Sequence, residues 1–166
     1  VKIEGRMKSV YYTALVTRAY RKKIDFLEGK LTDRSLLERY ISELDEVSHR
    51  EYTTGFYFDR QEISEPADAT YRRPYLFVGT VGEQTGPGRY ALKLKNKIAE
   101  GRAVEFIGPD QPGVEDSAFR LYDEEGSRLA TADHNRDAYI DPSVSVEPGH
   151  ILRSRKDAST VVRAQR

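Results

Sequence analysis

The sequence contains no cysteine and no tryptophan, and its single methionine is Met7. Without a thiol, the chain cannot form a disulfide, offer a thiolate nucleophile, or ligate zinc or an iron–sulfur cluster through cysteine. Long apolar runs are also missing, so we expect neither a transmembrane helix nor a secretory signal. These absences fit a cytoplasmic protein, and we expect that location.

Complete catalytic motifs are missing as well. The three histidines are scattered, and neither the His-Glu-x-x-His pattern of zinc enzymes nor the Gly-x-Ser-x-Gly pattern of hydrolases occurs. Asp133, His134 and Asp137 are close enough in sequence for a metal site, although acidic loops of this kind are usually turns. We therefore expect no metal or cofactor in this chain, and no catalysis by the chain alone.

Positive and negative charges balance over the whole chain but not locally. Residues 61–149 carry 10 basic and 16 acidic side chains, whereas residues 150–166 carry 5 basic and 1 acidic. An acidic body argues against this region following a phosphate backbone, and the basic tail could do so only weakly.

Apolar residues at helical spacing predict two helices near the start of the chain. The first runs from about Val10 to Glu28 behind a Ser9 cap, and the second from about Arg34 to Val47 behind an Asp33 cap. A short loop makes them an antiparallel hairpin. The expected apolar stripe of the first helix consists of Tyr12, Val16, Ala19, Tyr20, Ile24 and Leu27. Its basic cluster, which we interpret as a solvated face, consists of Arg18, Arg21, Lys22 and Lys23.

The first five residues and the chain from residue 75 onward show patterns typical of β-strands. Val1–Gly5 alternates apolar and charged residues and predicts a short strand, although Ile3–Arg6 before Met7 also looks like a cleavable linker. From residue 75 onward, short runs broken by glycine and proline predict six or seven strands at barrel or sandwich spacing. These runs are Tyr75–Val81, Arg89–Leu94, Ala103–Ile107, Ala118–Tyr122, Leu129–Ala132, Ala138–Ile140 and His150–Arg153.

The predicted fold class is therefore α+β: an N-terminal strand remnant and a helical hairpin, followed by a small all-β barrel. The boundaries are residues 1–58 for the first part, 59–73 for a polar linker, 74–154 for the barrel and 155–166 for a basic tail.

Four aromatic residues mark the end of the first part: Tyr52, Phe56, Tyr57 and Phe58. A segment this short cannot form its own core, so its aromatic surface must pack against neighbouring elements. The simpler interpretation is therefore an aromatic plug between two sub-structures. A second interpretation adds His49, Arg50 and Glu51 as binding groups at that position.

Two stretches together resemble peptidase family U32, the collagenase-like proteases. Lys2–Ser9 looks like the Lys-Ile-Glu-Gly-Arg-x-Lys-Ser signature of that family, and Arg50–Phe56 looks like the Arg-x-Tyr/Phe-Thr-x-Gly-Phe segment that follows it. The family pattern includes residues on both sides of Ile3–Arg6, which a cleavage linker would not supply. Residues 74–154 are similar to the small C-terminal barrel of the family, and Asn96–Glu105 and Gly149–Arg153 also look like the barrel of translation factors.

The resemblance implies that this chain is the C-terminal part of a longer protein whose upstream α/β-barrel domain is its partner. In the family that domain carries the signature cysteines, and an iron–sulfur cluster in members that modify RNA. Relatives serve in hydroxylation of tRNA, ribosomal RNA or ubiquinone precursors, yet members have been labelled proteases. Three roles stay open: a substrate-binding barrel of a tRNA hydroxylation enzyme, a peptide-binding barrel of a protease, and a structural or self-associating module.

Site residues are predicted from the same stretches. Active sites of α/β barrels gather at the C-terminal ends of strands, which would place Glu4 and Arg6 on the catalytic side. Arg6 offers a fork for a carboxylate or a phosphate, and Glu4 can accept hydrogen bonds. The predicted binding residues are Lys8, His49, Arg50, Glu51 and Tyr52.

Overall fold

The computed structural model describes residues 2–49 and 74–156 of the 166-residue chain. The chain divides between Pro74 and Tyr75 into two compact units. The first unit is helical, the second consists of strands, and the prediction of an α+β chain with this order of elements is confirmed. No helix within the described ranges is long and apolar enough to cross a membrane.

Residues 2–49 of the first unit contain two capped α-helices. Helix α1 spans Val10–Leu27, and the Ser9 hydroxyl accepts a hydrogen bond from the Tyr12 amide at 3.3 Å. Helix α2 spans Arg34–Ser42 and begins at Asp33, whose carboxylate accepts from the Leu36 amide. The predicted helices are confirmed, except that α2 ends earlier and continues as a 3-10 turn, Glu43–Glu46.

The buried face of α1 differs from the predicted stripe. Leu15 and Ala19 are buried, as are Leu37 and Tyr40 of α2, but Tyr20 and Leu27 are exposed. Arg18, assigned to a solvated cluster, is also buried. Its guanidinium pairs with the buried Glu43 carboxylate and lies 4.9 Å from the centre of the Tyr40 ring. An arginine can take an apolar-face position when its charge is paired and its plane lies over an aromatic ring, which spacing alone does not reveal.

The buried Arg18–Glu43 pair yields a stability prediction. Changing Glu43 to Gln leaves the Arg18 charge buried opposite a neutral group, and we expect a loss of about 3–5 kcal/mol from the helical unit. The measurement is urea unfolding followed by far-ultraviolet circular dichroism. Glu38→Gln is the matched control, because it breaks an ion pair with Arg34 that lies on the surface. Equal unfolding midpoints for the two variants would contradict the prediction.

The strand predicted at residues 1–5 is not observed over residues 2–5, which have no regular secondary structure. A strand requires a hydrogen-bonded neighbour, and residues 2–5 pair with no strand in the described part of the chain. The alternation of apolar and charged residues is therefore not enough to make residues 2–5 a strand without a neighbouring strand.

Residues 75–156, the described part of the second unit, contain ten antiparallel strands. Eight of them form one sheet in the order β5-β4-β10-β1-β2-β9-β6-β7, and β3 pairs with β8 in a separate two-stranded sheet. The strands, in chain order, are β1 Tyr75–Gly86, β2 Arg89–Leu94, β3 Ile98–Ala99, β4 Val104–Ile107, β5 Val114–Asp116, β6 Arg120–Tyr122, β7 Arg128–Leu129, β8 Thr131–Ala132, β9 Ala138–Asp141 and β10 Ile151–Arg155.

The large sheet curls into a half-barrel around one hydrophobic core and does not close, which corrects the predicted barrel. No pairing joins the outer strands β5 and β7 within residues 74–156. Both are too short to close the sheet, and the run predicted as one strand at Leu129–Ala132 splits between the two sheets. The core includes Val78, Phe106, Phe119, Leu121, Ile140 and Leu152.

Strand β1 approaches β2 closely at Gly79. The pairing of β1 with β10 shifts register between Phe77 and Gly79, which marks a bulge there. An added Cβ at Gly79 would lie 2.4 Å from the Lys93 carbonyl oxygen. Any larger residue would therefore push the two strands apart.

Gly79→Ala should destabilise the β unit by about 1–3 kcal/mol, because the new methyl group has no space beside β2. The measurement is the unfolding midpoint of the whole chain in urea. Gly86→Ala is the control within the same strand, since its nearest neighbour would be the Arg89 Cβ at 4.0 Å. If Gly79→Ala unfolds at the same urea concentration as Gly86→Ala, the close contact at Gly79 does not restrict the size of the side chain, and the prediction is wrong.

Candidate functional site

The residues predicted to be catalytic lie on the surface of the helical unit. Glu4 and Arg6 are exposed, with Arg6 in a turn ahead of α1. Neither side chain forms a hydrogen bond or an ion pair within residues 2–49 and 74–156. Because residues 2–5 form no strand there, the argument from a strand end does not apply to them in this structure. Their catalytic role stays a prediction.

Lys8 and the end of the helical unit come together. The Lys8 ammonium donates to the Ser48 carbonyl at 3.0 Å and lies 5.1 Å from the centre of the Tyr12 ring. His49, next in the chain, is half-buried. Lys8 thus anchors this segment, which is a structural contact that needs no ligand. The remaining predicted binding residues, Arg50, Glu51 and Tyr52, lie outside the described residues, as does the aromatic segment.

The acidic loop considered as a metal site forms a turn. The Asn135 amide donates to the Asp133 carboxylate at 2.9 Å. Across residues 2–49 and 74–156, no three His, Asp or Glu side chains are grouped so that they could hold a metal ion. Since the chain also has no cysteine, its residues do not fit the iron–sulfur cluster that the resemblance implies. That cluster would have to be held elsewhere, and the absence of a cofactor from this chain stays a prediction.

A cavity of about 620 Å³ lies in the β unit between the half-barrel and the small β3–β8 sheet. Its floor is apolar and consists of Leu76, Val78, Ile98, Ala99 and Val104, while Thr131 and Ser154 add hydroxyl groups. Four cationic side chains also line it: Lys97, Arg102, Arg155 and Lys156. The lining contains no carboxylate, so the cavity combines an apolar floor with uniformly positive charge.

The turn after β2 places two of these cations. The Val78 carbonyl accepts hydrogen bonds from the Lys95 and Asn96 amides at 2.8 and 3.1 Å, and the Asn96 side-chain amide donates to the Phe77 carbonyl at 2.8 Å. The chain is therefore held against β1 immediately before Lys97. Residues Ile98 and Ala99 then pair with β8, and Gly101, at a φ of 75°, turns the chain at Arg102.

A buried charge cluster fixes β10, which supplies the other two cations. Arg153 makes two hydrogen bonds to Glu105 of β4, at 2.8 and 2.5 Å. The Tyr75 hydroxyl donates to the same carboxylate at 3.0 Å, and the Arg153 guanidinium lies 3.9 Å from the centre of the Tyr75 ring. Arg155, two residues beyond Arg153, pairs with Tyr75 at the end of β1. The cluster thus holds the end of β10, which lines the cavity, in a fixed position against β4 and β1.

Two arginines elsewhere in the β unit, Arg89 and Arg128, are neutralised by carboxylates. Arg89 makes a two-pronged contact with Asp141, and Arg128 pairs with Glu100, whose pKa is lowered by the Arg128 guanidinium. By contrast, Lys97, Arg155 and Lys156 form no ion pair within the described residues. The positive charge at the cavity is therefore available for an anionic ligand.

Sequence reasoning did not single out this cavity. Lys97 and Arg102 lie in the Asn96–Glu105 stretch noted for its likeness to translation factors, but no binding role followed from it. The cations come from two segments more than fifty residues apart, one in the acidic region 61–149 and the other at the start of the basic end of the chain. The sequence did contain a signal for this site, since both segments carry basic residues at turn or strand-end positions. The two segments come together only because β1 pairs with β2 on one side and with β10 on the other.

Two family models match the chain. The model described as peptidase family U32 matches residues 1–66, and the one described as the peptidase family U32 C-terminal domain matches residues 73–153. The chain belongs to peptidase family U32. The family assignment from the signature stretches is therefore confirmed.

Among curated proteins, this U32 chain is similar to tRNA hydroxylation protein P1 of Bacillus subtilis, with 32% identity over 140 residues, 81% of the chain and 32% of that protein. It is 37% identical to tRNA hydroxylation protein P of Escherichia coli over 118 residues, 66% of the chain and 24% of that protein. A protein of Methanocaldococcus jannaschii named as an uncharacterized protease is 42% identical over 71 residues, 42% of the chain and 16% of that protein. The chain thus spans a third or less of these relatives.

One solved structure resembles the β-rich part. It is the C-terminal domain of a Geobacillus thermoleovorans protein assigned to the U32 peptidases, with a TM-score of 0.41 and 22% identity. The match covers 49% of this chain and 92% of that one.

His150 is a buried titratable group beside the half-barrel core. Its side chain is 5% exposed, its Nδ1 has no hydrogen-bond partner within the described structure, and its ring lies directly against Gly108. Burial lowers the pKa of His150, while the nearby Glu147 carboxylate acts weakly in the opposite direction. The neutral imidazole is therefore the form that fits the fold.

This burial predicts a pH-dependent stability. Because the folded pKa lies below the unfolded value of about 6.5, the His150 contribution is fully present above that pH and is lost as the pH falls toward the lowered pKa. We expect His150→Leu to reduce the difference in unfolding free energy between neutral and mildly acidic buffer. His134→Gln, at an exposed histidine, should leave that difference unchanged. The same pH dependence in His150→Leu as in the parent chain would contradict the assignment.

Proposed function

We propose that residues 74–156 form an RNA-binding module, that its RNA is tRNA, and that the protein takes part in tRNA hydroxylation. Two relatives are named tRNA hydroxylation proteins, and their matches cover 81% and 66% of this chain. In this proposal the module holds the substrate, and the chemistry is carried out by residues outside it.

The observation that carries the proposal is the charge at the cavity. Four cations line it without any carboxylate, and three of them form no ion pair in the described part of the chain. Electrostatic contact with phosphates supplies most of the affinity of a protein for RNA that does not depend on sequence. Because the whole chain has zero formal net charge, non-specific attraction to RNA is weak and the local cluster decides where RNA binds.

The local cluster also revises the expectation drawn from composition. Residues 61–149 are acidic on average, which argues against a phosphate-binding surface over the region as a whole. Several of those carboxylates, including Glu100, Glu105 and Asp141, are already paired with arginines, and Asp116 is buried and accepts hydrogen bonds from neighbouring amides. These carboxylates have partners of their own and none of them lines the cavity, so the charge there differs from the average of the region.

Binding of a tRNA transcript to the whole chain, measured by filter retention over a range of salt concentrations, tests the proposal. We expect Lys97→Ala and Arg155→Ala each to weaken binding about three- to tenfold and to reduce the slope of log affinity against log salt by about 1. Lys93→Ala and Arg136→Ala are matched controls, because both residues are exposed and neither lines the cavity. The controls should retain the affinity and slope of the parent chain.

Three outcomes would reject the proposal. Equal losses in cavity and control variants would mean that RNA contacts the chain non-specifically. Displacement of tRNA by an acidic peptide at the same charge concentration would favour polypeptide binding, the role suggested by the relative named as a protease. Self-association of the chain with no affinity for either ligand would instead favour a structural module.

A further inference from the structure

We infer that the cavity accommodates the base of one unpaired nucleotide while the surrounding cations bind the adjoining phosphates. This inference rests on the proposed function and adds to it the part of the RNA that is recognised. It arises from the floor of the cavity, which phosphate binding does not explain. Phosphates require only charged groups at a surface, whereas this site is concave and lined by apolar side chains.

The size and chemistry of the cavity match a nucleobase. A volume of about 620 Å³ falls within the usual range of small-ligand sites, where apolar walls bury the ligand and a few polar groups orient it. Bases have apolar faces and polar edges. Leu76 and Ala99, the half-buried apolar residues of the lining, can pack against a face, while the hydroxyl groups of Thr131 and Ser154 can bond an edge.

The floor is part of the packed core and is therefore preformed. Val78, Ile98 and Val104 are each at least 97% buried and belong to the hydrophobic cluster of the half-barrel. The close contact of Gly79 with β2 fixes the strand that carries Val78. A ligand consequently finds the surface already shaped and does not have to order it.

The shape favours an unpaired nucleotide over a helix. Base edges within an A-form helix are hard for side chains to reach, and proteins usually read RNA through bases that have left the stack. A concave site can admit a base that has left the stack, whereas a base pair still stacked in a helix cannot enter it. The cations at its border then hold the backbone on either side.

Another surface of the β unit carries aromatic rings and serves as the internal comparison. On the outer face of the sheet, Tyr139 of β9 pairs with Tyr122 of β6, and the Arg89 guanidinium lies 3.7 Å from the centre of the Tyr122 ring. The Arg89 charge is already neutralised by Asp141. The arginine that lies over these rings is therefore not available to a phosphate.

The test uses three short RNAs and the whole chain, with binding followed by fluorescence anisotropy. The first RNA is a blunt duplex, the second is the same duplex with a bulged uridine, and the third replaces that uridine with an abasic nucleotide of equal charge. We expect the bulged RNA to bind about 5- to 100-fold more tightly than the abasic RNA, as is typical for one stacked base. Equal affinities for the bulged and abasic RNAs would overturn the inference.

Filling the cavity locates the base. Ala99→Leu should abolish the preference for the bulged RNA while leaving the affinity for the abasic RNA unchanged. Thr131→Leu, at a more exposed lining position, is a second variant in case Ala99→Leu does not fold. The Tyr139→Ala control should retain the preference. Loss of the preference in Tyr139→Ala, with retention in Thr131→Leu, would place the base on the outer face and overturn the inference.

The two proposals fail in different ways. If Lys97→Ala still weakens tRNA binding but bulged and abasic RNAs bind equally, the module binds phosphates and the inference about the base is wrong. If Lys97→Ala and Arg155→Ala affect no RNA, the proposed function itself fails.

Discussion

The β unit depends on strand β1, which pairs with β10 on one side and with β2 on the other. The constraint at its centre is the absence of a side chain at Gly79, because any Cβ would collide with the backbone of β2. The bulge beside Gly79 shifts the register of β1 against β10. The pairing of β1 with β10 and β2 places the two segments that supply the cavity cations on either side of Leu76 and Val78. A feature of backbone packing thus determines where charge gathers on the surface.

Ion pairing separates structural charges from those available for binding. Arg18 in the helical unit and Arg153 in the β unit are buried, paired with a carboxylate and placed over a tyrosine ring. Such residues hold elements together, and removing either partner leaves a buried charge. The cations at the cavity are mostly exposed and have aliphatic stems beside apolar walls. Their desolvation cost on binding is small, which suits contact with a mobile polyanion.

Helical spacing and capping residues were sufficient to predict α1, and β2 begins and ends where the alternation placed it, at Arg89 and Leu94. The sequence did not reveal β3 and β5, because two or three residues carry too little periodicity. It also misplaced the turn after Val81, since β1 continues to Gly86 with two shifts of register against β2. Cross-strand register brings Lys97 near Arg155, and a single sequence holds no direct record of register.

The apolar surface that Leu76 and Ala99 leave exposed in the cavity lowers the stability of the fold, since exposed apolar area forgoes the gain from burial. Larger side chains at Ala99 or Thr131 would cover that floor with little change to the strands that carry them. Covering the floor should therefore stabilise the β unit while removing the space for a base, a conflict between stability and binding that is common at functional sites. Filling the cavity should thus raise the stability of the β unit and lower its preference for the bulged RNA. A variant that unfolds more readily and binds less well is merely damaged, whereas one that unfolds less readily and loses the base preference identifies the cavity as the place where the base binds.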